Sequence, residues 1–199
     1  MSTVITKTYS PPAIDRREIL RYAGAKVGDS TLELLLDTCI EEAEGKLLYQ
    51  VCYAKYPIER SGDTLHIGGY LFVSKSLQKN LAGCTHAVVF AATVGLWIDR
   101  LITRYSRVSP TKALLFQAIG AERIEALCDA FCEEIASDGV SLRPRFSPGY
   151  GDLPLESQGQ IFQMLDCTKR IGIALSESLL MTPSKSVTAI IGMDLGEKT

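Results

Sequence analysis

The sequence lacks the parts from which most enzyme active sites are made. Its only two histidines, His66 and His86, stand in no G-x-S-x-G or H-E-x-x-H setting, so serine-hydrolase and zinc-protease readings are excluded and both are read as structural. No G-x-x-x-x-G-K-[ST] loop and no glycine fingerprint between strand and helix is present, which removes support for nucleoside triphosphates and nicotinamides. The six cysteines (Cys39, Cys52, Cys84, Cys128, Cys132, Cys167) form no C-x-x-C pair and are expected as reduced core residues. Cys128 and Cys132, four apart on one helix face, leave metal ligation open beside burial. The formal charge of -2, with both signs mixed along the chain, offers no basic stripe for a nucleic acid. The longest apolar runs, Ala87 to Gly95 and Val187 to Gly192, fall far short of the roughly 20 residues that span a bilayer. Met1 to Tyr9 is polar and does not read as a signal peptide. These absences predict a cytoplasmic protein with neither a membrane nor a nucleic-acid partner.

What is present is a core. An apolar content of 46% suffices to fill one domain of this length. Residues 1–12, ending in Ser10-Pro11-Pro12, read as an arm, and 13–192 as the domain. Asp15 to Tyr22 and Ser30 to Tyr49 show helical spacing, the second through Leu32, Leu35, Leu36, Cys39, Ile40, Ala43 and Leu47. Val51 to Val73 breaks into strand-like pieces at Ser61-Gly62-Asp63 and Gly68-Gly69. A short helix follows over Ser74 to Asn80, then the continuous apolar run His86 to Thr93, a buried central strand. Val94-Gly95 leads into a helix over Leu96 to Ser106. A strand, a glycine turn and a helix in that order can aim N–H groups at a ligand, or be a plain turn. Pro110 to Ala136 predicts a long helix closed by Asp138-Gly139, with Gly120 marking close packing or a kink. Pro154 to Leu165 and Thr168 to Gly172 read as helical, Lys185 to Gly192 as a strand, and 193–199 as a charged tail. The fold class expected is α+β, a mixed or antiparallel central sheet flanked by helices.

Between the long helix and the next lies Arg145-Phe-Ser-Pro-Gly149-Tyr150-Gly-Asp152-Leu153-Pro154, too rich in proline and glycine for regular structure. A stiff loop has little entropy left to lose on binding. Arginine suits a carboxylate, Gly149 permits close backbone approach, and Tyr150 offers a flat face with a polar tip. On composition alone, an ordinary surface loop with Arg145 in a salt bridge stands level with a small-molecule site.

The spacing Arg145-x-x-x-Gly149-Tyr150-x-x-x-Pro154 resembles the signature of the activation domain of cobalamin-dependent methionine synthase. Downstream, Ser176-Glu177-Ser178, Met181-Thr182-Pro183 and Ser186-Val187 follow in the family's order, and Ala118 to Glu125 resembles its long helix. The resemblance implies S-adenosylmethionine binding, with Arg145 on the ligand carboxylate, Gly149 and Tyr150 beside it, and Glu125 and Asp15 on its positive charge. For Glu125 the alternative is a solvated helix residue, and for Asp15 an N-cap. The implied activity is reductive methylation, or reactivation, of a cobalamin-dependent methionine synthase or related corrinoid protein. The chain would work within that methyltransferase system rather than as an independent catalyst. Cobalamin enters only through a partner, and a one-electron reductant protein is required. The chain is expected to be a free-standing activation domain, missing the tyrosine and serine contacts that the family carries past the Ser-Val strand. That departure motivates the alternative of a corrinoid-protein-binding regulatory module that has lost S-adenosylmethionine. Tyr150, Asp152 and Leu153 are expected at the rim facing a partner.

Overall fold

The computed structural model describes residues 2–25, 28, 30–62, 64–136 and 140–194. In chain order its elements are β1 (Ile5–Thr8), α1 (Arg16–Tyr22), α2 (Ser30–Ala43), β2 (Gln50–Ser61), β3 (Thr64–Ile67), β4 (Tyr70–Phe72), α3 (Lys75–Asn80), β5 (His86–Thr93), α4 (Trp97–Tyr105), α5 (Pro110–Ala136), β6 (Ser141–Leu142), α6 (Ser157–Leu165), α7 (Cys167–Ile171), β7 (Ala174–Leu175), β8 (Met181–Thr182) and β9 (Ser186–Asp194). The main sheet runs β4-β3-β2-β5-β9-β6, and β1 shares the outer edge of β2 with β3. Every strand pairing among the described residues is antiparallel, so the expected α+β class holds in its antiparallel form.

β5 explains the layering. Seven of its eight residues are buried, because each face of the strand meets a different core, and all seven but the terminal Thr93 are apolar. Ala87, Val89 and Ala91 pack with Leu77, Ile161 and Leu165 of α3 and α6. Val88, Phe90 and Ala92 pack with Leu127, Cys128 and Phe131 of α5. The first half of α5 buries Leu115, Phe116 and Ile119 against α1, α2 and α4. The long helix is therefore apolar on two sides: it is the middle layer between the sheet and an outer helical layer.

Three boundaries differ from expectation. The helix expected to reach Tyr49 stops at Ala43, because Gly45 turns left-handed (φ +69°). The chain then enters the sheet, Leu48 N–H donating to Val94. The expected arm contains β1, whose Ile5 to Thr8 pair with Gln50 to Tyr53 of β2; its short β-branched run is a strand signal that proline-based reading passed over. Met193 and Asp194, expected in the tail, complete β9 against His86 and Ser141, and 195–199 lie outside the described residues. So do Asp138-Gly139, expected to end α5, and Asp63 of the expected turn. Leu153, expected at a rim, is buried.

Gly120 is a close approach. A Cβ there would lie 2.8 Å from Ile98 Cγ2 and 2.8 Å from Lys185 Cγ, and Ile98 is fully buried on α4. Helix propensity favours Gly120→Ala by about 1 kcal/mol, but overpacking of this kind costs about 1–3 kcal/mol. The variant is expected to unfold at a lower urea midpoint with an unchanged slope.

Candidate functional site

The Arg145–Pro154 loop is fastened to the sheet at its first turn. Phe146 and Ile190 exchange N–H to carbonyl bonds, each 2.9 Å, and the loop closes on itself through Gly149 N–H to Leu153 O, 2.9 Å. Gly149 (φ +84°) occupies the left-handed region that favours glycine. Phe146 is buried in the core on the α6 side, and the Tyr150 ring sits edge-on to it at 5.2 Å. Asp152 is committed to structure: its carboxylate accepts from the Lys75 and Ser76 amides at 2.8 and 3.0 Å and from the Ser74 hydroxyl. These bonds, the Ser74 hydroxyl first, hold its pKa well below the usual carboxylate range. Of the three expected rim residues, only Tyr150 is both exposed and uncommitted to such capping.

Arg145 turns the other way, onto α5. Its guanidinium donates to Glu125 Oε2 at 2.7 Å and to Asp129 Oδ1 at 2.6 Å, with the Cys132 sulfur 3.9 Å away. Burial opposes its charge, but the Asp129 and Glu125 carboxylates outweigh it and raise its pKa above the ordinary arginine value. Cys128 is buried and Cys132 half-buried, and desolvation raises both thiols, leaving them protonated at neutral pH.

Glu125 and Asp129 belong to a carboxylate row, Glu122, Glu125, Asp129 and Glu133, at helical spacing on α5. The row lines a cavity of about 430 Å³, completed by α1 and the chain before it through Asp15, Glu18 and Tyr22. Asp15 is indeed the N-cap of α1, accepting from Arg17 N–H at 2.9 Å and Glu18 N–H at 3.2 Å, and it lines the cavity as well. The structure therefore puts Asp15 and Glu125 on one cavity, joins Arg145 to it through Glu125 and Asp129, and sets Gly149 and Tyr150 apart at the loop tip. Sequence reading missed Asp129 and the neighbouring pair Glu122–Arg123; the three-and-four spacing of acids along an otherwise apolar helix was the available signal.

Arg123 and Glu122 form the buried base of this region, their side chains 2% and 5% exposed. Arg123 fills its fork with both Glu122 oxygens and with the carbonyls of Pro12 and Ala13, at 2.6 and 2.7 Å. Glu122 also accepts from Asp15 N–H at 3.0 Å. Burial opposes the Arg123 charge, and Glu122 overrides it, raising the pKa. Arg123→Ala strands a buried carboxylate and two carbonyls. It is expected to cost about 3–5 kcal/mol in chemical denaturation and to expose residues 1–13 to proteolysis under native conditions.

Chemically, this arrangement contains no nucleophile with an adjacent base. It offers carboxylates to a cation and, beside them, an arginine to an anion. Among the described residues no group of three or more acids, cysteines and histidines is arranged to hold a metal ion, and no helix is long and apolar enough to cross a membrane.

A search of curated proteins returns no match. Among solved structures, the fold matches a chain described as the crystal structure of the MetH reactivation domain bound to AdoHcy. The TM-score is 0.68 at 17% identity, covering 96% of this chain and 78% of that one. At that identity the likeness establishes the fold. The model of the family described as vitamin B12 dependent methionine synthase, activation domain, matches residues 72–195, a span holding the Arg145 loop, Glu125 and the Ser176 to Val187 segments. The chain thus belongs to the activation-domain family of vitamin B12-dependent methionine synthase.

Proposed function

We propose that this domain binds S-adenosylmethionine and supports reductive methylation of a corrinoid protein, methionine synthase or a relative serving another methyl donor. The observation that carries this reading is the Arg145 guanidinium beside a carboxylate-lined cavity that includes Asp15 and Glu125. The ligand bears one carboxylate, one ammonium and one sulfonium, and so calls for this pairing of one cation with several acids. A cavity of about 430 Å³ lies in the range that takes such a molecule. A relative of the same fold was solved with AdoHcy, the demethylated product.

In this reading Asp15 and Glu125 receive the positive groups, and the ligand carboxylate shares the Arg145 fork. Asp129, the more exposed of the two acids on Arg145, yields its place. Tyr150, mostly exposed at the loop tip and packed on Phe146, stands apart from this cavity and takes no part in this placement. The corrinoid, carried by a partner and reduced by one electron from a reductant protein, supplies the nucleophile for the sulfonium methyl. This chain's own contribution is position, which is worth roughly 7–11 kcal/mol when two reactants are held in line. No side chain need act as a nucleophile.

A second reading has one observation in its favour. Arg145 is already neutralised by two carboxylates, as in a purely structural cluster, which suits a corrinoid-protein-binding module without the ligand.

Calorimetry separates the two. S-adenosylmethionine and S-adenosylhomocysteine are expected to bind in the micromolar to millimolar range; no saturable heat and no rise in melting temperature at millimolar ligand leaves the second reading. Arg145→Ala is expected to weaken binding by about 2–5 kcal/mol and Arg145→Lys to recover part of it, since lysine lacks the fork. Unchanged affinity in both would make Arg145 structural. For the activity itself, formation of methylcobalt is followed by visible absorption after mixing with a Co(II) corrinoid protein, S-adenosylmethionine and a one-electron reductant. A rate that this domain does not raise rejects the reactivation role.

A further inference from the structure

The strand–glycine–helix turn at Gly95 has no part in the site described above, yet the structure builds a second cavity on it. This cavity, of about 470 Å³, lies where β5 ends and α4 begins, and shares no residue with the acidic one. Thr93, Gly95 and Trp97 line it together with Lys46, Arg100 and Arg170, and none of the described residues lining it is acidic.

Its cations are brought together without neutralisation. Lys46 Nζ lies 5.1 Å, and the Arg100 guanidinium carbon 5.9 Å, from the centroid of the same Trp97 ring. Among the described residues the Lys46 ammonium donates to the Glu42 carbonyl alone, 2.8 Å. Among the described residues none of the three cations has a carboxylate within salt-bridge distance. Two acids nearby in the chain are engaged elsewhere: Asp99 accepts from Ser184 N–H at 3.1 Å, and Glu42 accepts from the Tyr105 hydroxyl and Arg104. The Trp97 indole N–H is shielded and has no acceptor among the described residues. The nine-residue α4 begins at this cavity with Leu96 as N-cap and no side-chain cap, so the positive end of its dipole faces the same space. Gly95, at φ +80°, forms the turn by donating to Thr93 Oγ1 at 3.1 Å.

We propose that this cavity is a binding site for the phosphate groups of a small molecule, carrying at least two of them. Three clustered cations repel one another until an anion joins them. Guanidinium forks and an uncapped helix start both match phosphate oxygens, and the volume exceeds what a single phosphate would fill. The site is independent of S-adenosylmethionine binding, so either can fail without the other.

Trp97 is the only tryptophan of the chain, which makes its emission a reporter of this cavity alone. The intact protein is titrated with inorganic pyrophosphate against sodium chloride of matched ionic strength, with calorimetry in parallel to register binding that emission misses. A saturable one-site response is expected, half-complete at about millimolar pyrophosphate or below. Arg100→Ala and Arg170→Ala, both at exposed side chains, are each expected to weaken it by about tenfold while leaving circular dichroism and melting unchanged. A response no larger than the chloride control in both measurements overturns the proposal, as does binding by both variants as tight as that of the parent protein.

Discussion

A guanidinium removed from water has to find acceptors for its donors within the protein, and the placing of the acidic cavity follows from how Arg123 does so. Glu122 takes one side of the fork and the Pro12 and Ala13 carbonyls the other. The segment entering α1 is thereby fixed to the middle of α5, and the Asp15 amide closes the ring on Glu122. Two residues adjacent in sequence thus hold two elements more than a hundred positions apart. The exchange is energetically narrow, since desolvation of such a pair offsets much of its attraction; its effect is to specify one arrangement of the N-terminal segment. The wall that places Asp15 opposite the α5 carboxylate row is a result of that arrangement.

Much of the architecture was legible because its causes are local. α5 runs Pro110–Ala136 and β5 His86–Thr93, as periodicity and continuous apolarity imply, and Gly120 marks a close helix crossing. What was not legible depends on partners remote in sequence. β1 is a short strand only because β2 extends past β3 to receive it. Asp152 looked like a rim carboxylate, and became the anchor of α3 through amides more than seventy residues away. The loop was read as one cluster, yet consecutive residues of a chain paired to a sheet edge point to opposite faces: Phe146 enters the core on one side while Arg145 reaches α5 on the other.

Charge is sorted over this fold more sharply than the net value suggests. Carboxylates collect between α1 and α5, and uncompensated cations collect where β5 hands over to α4. The two regions lie on different element pairs and share no side chain, so a near-neutral total conceals two local fields of opposite sign. The proposed S-adenosylmethionine site draws on the first field and leaves out the second, whose aromatic centre is the chain's single tryptophan.

The place of β9 in the sheet has a consequence for the order in which the protein is made. β5, the best-buried strand, has β2 on one side and β9 on the other, with Thr93 opposite Ser186 and His86 opposite Met193. These partners are roughly a hundred residues apart, a separation that slows folding because the loop must close before its contacts form. On the ribosome, β5 emerges long before β9 and waits with one apolar edge unpaired, the kind of strand edge that recruits neighbouring nascent chains. Synthesis rate and chaperone supply, more than the stability of the finished domain, would then decide how much of this protein a cell recovers in active form.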